Sequence, residues 1–272
     1  PRSTPLYSSA ASDVYKRQAN NCSDAIVIAL PKDNFSALTM SSTFGGSAQD
    51  FGKSLDVTPD GRVILSGTTV SPSILGHTGF QGGFSDGFVA ILAPITTAGS
   101  GLIDLHYIGG TQREEVTDSA AILDSSGNAS VVIIGYTSNN NADANLTFPT
   151  TPGAIQTSPA PRNANLAEGG FVTKYTVVNG TFTQVYSTLL DGSDSDDQLD
   201  GVAMDQAGNA FVIGSTSSAN IPLKDSDQQT LSTADIYLAG LNANGSSLHF
   251  GLIHDLIATD RGHAIAMDHR GG

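Results

Sequence analysis

Short apolar segments alternate with polar turns along the chain, and one two-strand pattern recurs. It is a pair of apolar strands joined by a glycine-containing turn. The copies occupy residues 54–70, 120–138, 202–217 and, in part, 264–272. Their turn glycines are Gly61, Gly127, Gly208 and Gly271, which lie 66, 81 and 63 residues apart. Glycine adopts positive φ without a steric clash, so the pattern predicts a β-hairpin at each copy.

A polar residue opens each of these turns. Three positions before the glycines stand Thr58, Asp124, Asp205 and Asp268. An aspartate at this position can accept hydrogen bonds from the backbone of the turn that it opens. Thr58 is the exception, and Asp60 can serve in its place. The strand after the second turn has two extra residues, which predicts a β-bulge in that strand.

A second pair of strands repeats in phase with the hairpins. Its first strand occupies residues 23–30, 85–92, 168–175 and 233–240. Its second strand occupies residues 37–46, 102–110, 184–192 and 248–255. Because both landmarks keep one spacing, we predict a tandem array of four-stranded units. The units are residues 23–83, 84–167, 168–232 and a truncated 233–272.

The apolar pattern also indicates how the sheets pack. The run VVII at residues 131–134 is too continuous for a strand with one face in water, so it favours sheets that are covered on both faces. No long segment has the 3.6-residue periodicity of an amphipathic helix. We therefore predict an all-β fold, namely a β-propeller of about four four-stranded antiparallel blades that form an open, incomplete arc.

Three segments resemble a known repeat. They are DSSGNA at 124–129, FPTTPGAIQT at 148–157 and GNAFVIGSTSS at 208–218. These segments resemble the bacterial SBBP repeat, a β-propeller repeat with an Asp-x-x-Gly-Asn hairpin, a Gly-x-Thr strand end and a Phe-Pro-x-Thr segment. Ile221–Pro222 matches Phe148–Pro149, whereas the first repeat has lost this pair. The resemblance implies a propeller, commonly in a secreted or surface-attached bacterial protein, and it brings no catalytic residues.

The two ends of the sequence differ from the repeats. Residues 19–272 are predicted to form the propeller fragment, and residues 1–18 are predicted to be a non-native or disordered leader. The last hairpin is incomplete, so we expect the remaining blades to belong to a longer chain. An unclosed arc exposes sheet faces and strand edges, which predicts that the fragment alone is prone to aggregation.

The longest spacer, residues 139–168, is predicted to be a surface loop laid over a blade. Phe148, Pro149 and Ile155 are its expected anchors. Long loops on one rim of a propeller are where a ligand would bind, although a crossover without a ligand is the simpler interpretation.

Charge and hydropathy exclude some partners. The formal net charge is −14, and binding to nucleic acid needs a basic surface, so no nucleic acid partner is expected. No apolar run reaches the length of a transmembrane helix, so no membrane span is predicted. The resemblance, and not the composition, predicts an extracellular or cell-surface location.

One segment has the composition of a calcium site. Residues 191–201 contain the carboxylates Asp191, Asp194, Asp196, Asp197 and Asp200. Carboxylate oxygens are the ligands that Ca²⁺ prefers. However, the segment lacks the final glutamate of an EF-hand loop, and the other repeats are not acidic here. A solvated acidic turn is the simpler interpretation, and weak Ca²⁺ binding is the alternative.

Other candidate chemistry is weaker. Nothing in the spacing of the C-terminal histidines brings them together as metal ligands; they are His249, His254, His263 and His269. Glu114 and Glu115 are adjacent, so in a strand they would face opposite sides, and solvated charge is expected rather than a glycosidase pair. No catalytic or cofactor-binding residue is predicted.

Two functions remain. The first is a non-enzymatic secreted or cell-surface scaffold for binding an unidentified protein or glycan, or for adhesion. The alternative is a fragment of a propeller-based carbohydrate-active enzyme. An enzyme should gather titratable groups at the propeller axis, whereas a scaffold should place small and apolar side chains there.

Overall fold

A computed structural model of the protein describes residues 22–31, 39–95, 101–139, 148–160, 167–194, 196–225, 234–254 and 258–268. These ranges contain β-strands and no helix, which confirms the predicted all-β class. The first eight strands are β1 (Ala25–Ala29), β2 (Met40–Phe44), β3 (Asp50–Val57), β4 (Val63–Thr69), β5 (Ser73–Ile74), β6 (His77–Thr78), β7 (Asp86–Leu92) and β8 (Leu102–Ile108). The next eight are β9 (Glu114–Leu123), β10 (Ala129–Asn139), β11 (Ala167–Val178), β12 (Thr181–Leu190), β13 (Gln198–Met204), β14 (Ala210–Thr216), β15 (Asp235–Leu241) and β16 (Leu248–His254).

Most strands belong to antiparallel sheets that follow the chain order. The four-stranded sheets have the orders β3-β4-β7-β8, β9-β10-β11-β12 and β13-β14-β15-β16. Strands β1 and β2 form a two-stranded sheet, and β5 and β6 form a short ribbon. None of the sheets closes on itself, and together they have the form of the predicted open propeller arc.

The sheets are out of phase with the sequence repeats. The first four-stranded sheet joins the hairpin at 54–70 to the strands at 85–92 and 102–110, so it crosses the boundary drawn between residues 83 and 84. Each sheet therefore combines the hairpin of one repeat with the strand pair of the next. Periodicity gives the length of a repeat, but hydrogen bonding decides where a sheet begins.

The turn glycines have left-handed backbone. Gly61, Gly127 and Gly208 have φ values of 88°, 79° and 83°. Asp124 Oδ1 accepts hydrogen bonds of 2.9 Å from the backbone N–H groups of Ser126 and Asn128. Gly271 lies outside the described residues, and the described residues that precede it include no strand after 254.

The predicted bulge was wrong in its position. The register of β9 and β10 shifts between Ile134 and Gly135, and the unpaired residue is Thr117 on β9, not a residue of the longer β10. The other four-stranded sheets have the same irregularity, at Lys53 on β3 and Asp200 on β13. The bulge thus belongs to each of the three hairpins whose pairing the structure describes, and the two extra residues only lengthen the hairpin of the second copy.

Successive sheets stack face to face. Val131 and Ile133 point into the core shared with the preceding sheet, whereas Val132 and Ile134 point into the core shared with the following sheet. All four side chains are buried. This alternation is the physical reason for the continuous apolar run, since both faces of β10 exclude water.

One apolar position anchors the segment after each hairpin. Phe148 and Ile221 are buried in the cores between sheets, as their shared motif suggests. In the first repeat Ile74 is fully buried in the corresponding core, and it lies five residues after Thr69, as Ile221 lies five residues after Thr216. The first repeat has therefore kept the apolar anchor although it lacks the Phe–Pro pair.

Candidate functional site

A buried aspartate fixes the start of the last four-stranded sheet. Asp197 accepts hydrogen bonds from the backbone N–H of Gly192 (2.7 Å) and from the hydroxyls of Thr216 (2.5 Å) and Ser218 (2.9 Å). Gly192 follows the previous sheet, whereas Thr216 ends the hairpin of this one. The carboxylate thus joins the two landmarks that keep a common period in the sequence.

We call this arrangement the brace: a buried carboxylate accepts hydrogen bonds from the glycine N–H after the previous sheet and from the threonine hydroxyl at the end of the hairpin. It recurs in the other sheets. Asp50 accepts from the Gly46 N–H at 2.8 Å and from the hydroxyls of Thr69 and Ser71. Glu114 accepts from the Gly110 N–H at 3.0 Å and from the Thr137 hydroxyl at 2.7 Å. Sequence analysis missed this role, although an acidic residue stands 19 positions before the threonine in two of the repeats. Glu114 is fully buried, so the expectation that it is a solvated charge was wrong.

A second set of carboxylates joins the first strands of neighbouring sheets. Strand β9 packs against β3 on one side and β13 on the other, so these strands form one common edge of the arc. Asp56 accepts a 2.7 Å hydrogen bond from the backbone N–H of Ala121. Asp118 accepts one of 3.1 Å from Val202 and one of 2.7 Å from the Ser54 hydroxyl. These side chains therefore connect sheet to sheet.

The candidate calcium residues are divided between several environments. Asp191 and Asp197 are buried, and Asp191 accepts a hydrogen bond from the backbone of Ala160. Asp194 and Asp196 are exposed in the turn. Asp197 already receives three hydrogen bonds as a brace, which leaves it poorly suited to bind a cation.

Asp200 lies apart from the others, at the bulge of β13. Its Oδ2 is 3.8 Å from Nδ1 of His263, and burial raises its pKa. His249 and His254 lie on β16, the opposite edge of the same sheet, and His269 lies outside the described residues. Across the described ranges, no three His, Cys, Asp or Glu side chains are placed to hold a metal ion. Calcium binding stays a prediction.

A cleft of about 380 Å³ lies between two of the sheets. Strand β8 and the residues after it form one wall, strands β11 and β12 form the other, and Phe148–Pro149 from the long spacer closes one side. Ligand pockets usually have volumes of about 300 to 1,000 Å³. The cleft is therefore large enough for a small ligand.

Aromatic packing fixes the floor of the cleft. The rings of His106 and Tyr175 are 5.0 Å apart at 58°, and Tyr175 meets Phe182 edge-on at 5.8 Å. Phe148 stacks on Phe171 with ring centroids 4.5 Å apart. Loss of solvent lowers the pKa of His106, which favours its neutral form. An offset or edge-on aromatic pair contributes stability beyond the area that it buries, so these contacts stabilise the floor of the cleft.

Amide and hydroxyl groups line the remaining surface. The side-chain amide of Gln184 donates to Thr173 Oγ1 and to the Tyr175 hydroxyl, both at 3.4 Å. The Ser187 hydroxyl donates to the carbonyl of Pro149 at 2.7 Å, which ties the spacer to β12. The described side chains that line the cleft include the imidazole of His106 but no aspartate, glutamate, lysine or arginine.

The spacer prediction succeeded in part. Phe148 is buried and Ile155 is half-buried against the neighbouring core, but Pro149 is exposed and lines the cleft. His106 and Gln184 had no sequence signal, because they lie on strands of different repeats and meet only when the sheets stack. Two glutamines, a histidine and scattered hydroxyls are common in any soluble sequence.

Comparison with known proteins supports the repeat. Residues 185–222 match the family model SBBP, described as a beta-propeller repeat. The matched segment runs from β12 through the hairpin of β13 and β14 to Ile221–Pro222, and it includes the Asp197 brace. No curated protein matches the chain. In the part of the chain that is described, no helix is long and apolar enough to cross a membrane.

Proposed function

We propose that this chain is part of a non-enzymatic, secreted or cell-surface repeat scaffold that binds a neutral glycan in the cleft between β8 and β12. The observation that carries the proposal is the lining of the cleft. Amides, hydroxyls and one neutral imidazole surround a site without acidic or basic side chains among its described residues. Such groups can both donate and accept hydrogen bonds, as the hydroxyls of a sugar require.

Charge restricts the kind of glycan. The net charge of −14 disfavours the approach of polyanions, and the cleft offers no described cation to a carboxylate or sulfate. Gln184 is exposed, and its amide oxygen can accept from a ligand hydroxyl while its nitrogen stays bound to Thr173 and Tyr175. A neutral saccharide is therefore the better match.

The carboxylates support binding over hydrolysis. A glycosidase needs two carboxyl groups about 5 to 10 Å apart across the substrate. Asp56 and Asp118, at the common edge of the first strands, both accept backbone hydrogen bonds from the next sheet. Their role as connectors favours a scaffold over the carbohydrate-active enzyme. Release of reducing sugar from a panel oligosaccharide by the purified protein would contradict this preference.

Calorimetric titration with a small panel tests the glycan. We expect cellotetraose or chitotetraose to bind and tetragalacturonate not to bind. Gln184→Ala should weaken binding about tenfold, because one hydrogen bond to the ligand contributes about 1 to 1.5 kcal/mol. Gln206→Ala is the matched control, since Gln206 is exposed in a turn away from the cleft. Tighter binding of the acidic oligosaccharide, or equal effects of the two substitutions, would overturn the proposal.

The proposed location has its own test. The resemblance to the SBBP repeat supports export, and fractionation of cells that carry the natural gene would locate the protein. Recovery with the surface or the medium is expected, and recovery with the cytoplasm alone would contradict export.

A further inference from the structure

Two acidic side chains face each other behind the wall of the cleft. Asp86, at the start of β7, and Glu114, at the start of β9, are both fully buried. They press against the same backbone: a Cβ placed on Gly109 would lie 2.6 Å from Asp86 Oδ1 and 2.9 Å from Glu114 Oε2. Two ionised carboxylates this close in a dry environment would repel each other strongly.

The surrounding hydrogen-bond donors serve three of the four oxygens of these two carboxyl groups. Glu114 Oε1 accepts from Thr137 and Oε2 accepts from Gly110, so both of its oxygens are satisfied. Asp86 Oδ2 accepts from the backbone N–H of Gln81 at 2.6 Å. Asp86 Oδ1 is buried and receives no hydrogen from a donor among the described residues, and the carboxyl group within its hydrogen-bonding reach is that of Glu114. A proton retained on Asp86 Oδ1 would remove the repulsion and supply a donor that faces Glu114.

In the part of the chain that the structure describes, no neighbouring cation replaces that proton. The charged or titratable group that faces Asp86 from β8 is the Tyr107 hydroxyl, whose pKa burial raises to about 12, so it stays neutral. Next to Glu114 on β9, Arg113 is engaged by Glu115 and by Glu168. Burial, with the nearby charge of Glu114, raises the pKa of Asp86 to about 7.

The acidic pair holds the wall of the cleft. Gln81 and Gly110 both line the cleft, and each donates its backbone N–H to one member of the pair. Gln81 belongs to the segment before β7, whereas Gly110 belongs to the segment between β8 and β9. A change in the force between the two carboxyl groups would therefore act on both segments through these hydrogen bonds.

We propose that Asp86 and Glu114 share one proton and that loss of this proton separates Gln81 from Gly110, so that the cleft holds its ligand at acidic to neutral pH and releases it at alkaline pH. The inference rests on the proposed binding function of the same cleft. Opening of the wall removes the shape that positions Gln81 against a ligand.

Comparison of the repeats shows that the pair is not a requirement of the fold. At the next junction Gly169 occupies the position of Asp86, because it pairs with Thr137 as Asp86 pairs with Thr69. Asp197 there receives three donors and has no acidic partner at that position. At the preceding junction Asp24 lies near Asp50, and its charge contributes to the raised pKa of Asp50. The junction at the cleft combines an acidic pair with a ligand-sized opening.

A pH titration followed by NMR tests, without a ligand, whether loss of the shared proton moves the segments of Gln81 and Gly110. In the wild-type protein the carboxyl carbon of Asp86 and the amides of Gln81 and Gly110 should titrate together, with a midpoint near 7. In Asp86→Asn the two amides should lose this midpoint, because the amide group donates to Glu114 at every pH. Asp194→Asn, which changes an exposed aspartate, should leave it unchanged. If Asp86→Asn does not fold, the wild-type carboxyl titration alone decides.

A second titration links loss of the shared proton to binding. The affinity for the panel oligosaccharide that binds should fall about fivefold from pH 7 to pH 8, because with a midpoint near 7 the protonated fraction falls from about one half to about one tenth. Asp86→Asn should bind equally at both values. An Asp86 midpoint below 5, or amides that do not follow it, overturns the inference whether or not a saccharide binds. If the midpoint is found but no panel saccharide binds, the proposed function fails and the proton-sharing pair stands.

Discussion

Replacement of Asp197 by alanine should be the most damaging single change among the polar residues of the last sheet. The side chain is almost fully buried, and its loss leaves the Gly192 N–H and the hydroxyls of Thr216 and Ser218 without their acceptor. The groups belong to two separate segments of chain, one at residue 192 and one at residues 216–218, so a local adjustment of either segment does not restore all three contacts.

The expected loss of stability follows from the number of donors that are left without an acceptor. A buried donor without an acceptor costs about 1 to 3 kcal/mol, and hydrogen bonds to a charged acceptor lie at the upper end of that range. Removal of the buried charge offsets part of the loss. We therefore expect Asp197→Ala to lower the free energy of unfolding by about 4 kcal/mol. Thr216→Val removes one of the contacts and should cost about 1 to 2 kcal/mol.

Urea unfolding and amide hydrogen exchange measure the two consequences. The unfolding midpoint should fall for Asp197→Ala, and exchange at Gly192 should accelerate by a similar free energy. Asp194→Ala is the matched control, because its side chain is exposed and its loss should change stability by less than about 0.5 kcal/mol. A loss below about 1 kcal/mol for Asp197→Ala would refute the brace.

The same experiment separates the brace from calcium binding. If Asp197 acted as a calcium ligand, the effect of Asp197→Ala would depend on calcium and would disappear when EDTA is present. The brace predicts the same loss in calcium and in EDTA. Calorimetric titration of the wild type with Ca²⁺ tests the acidic segment directly.

Further substitutions test the packing. Gly214→Ala should destabilise by at least about 3 kcal/mol, because a Cβ there would clash with a backbone carbonyl of the neighbouring strand, whereas Gly127→Ala, which has open space but positive φ, should cost about 1 to 2 kcal/mol by urea unfolding. Phe148→Ala should cost about 3 to 5 kcal/mol and abolish saccharide binding by calorimetry. Lys174→Met removes the ammonium group that donates to two backbone carbonyls, so we expect a lower melting temperature. A higher melting temperature would show that the cost of burying the charge exceeds the gain from these hydrogen bonds. Asp86→Asn should be more stable than the wild type above pH 7. Because the pKa of Asp86 is raised in the folded state, the stability that the protonated pair contributes is fully present below the ordinary carboxyl pKa and is lost as pH rises through about 7. The difference in stability between the two proteins should therefore shrink toward pH 4.

The residue patterns along the chain were sufficient to predict its strands, its hairpin turns and its repeat. A hairpin turn needs one residue that tolerates positive φ and another whose side chain accepts local hydrogen bonds. In the second copy Gly127 and Asp124, three positions apart, meet these two needs. The run at 131–134 predicted a strand covered on both faces, because the alternation of side chains across a strand is a property of the chain itself. These features are local, so sequence alone was sufficient for them.

Where each sheet begins was decided by tertiary structure. A repeat of fixed length can be divided at any point, and only the hydrogen bonds between strands show that a sheet starts at the hairpin. The bulge is a similar case. Its unpaired residue, Thr117, is selected by the pairing of β9 with β10 and carries no mark in the sequence.

The buried acids and the cleft also depend on the stacking of sheets. Glutamate is a residue type usually found at the surface, and the burial of Glu114 is compensated by donors from Gly110, four residues before it, and from Thr137 on the next strand. His106 and Gln184 are neighbours only across the junction of two sheets. Thus local backbone preferences and the period of apolar residues determined the strands and the repeat, whereas contacts between residues distant in sequence determined which polar groups lose water, retain a proton or face a ligand.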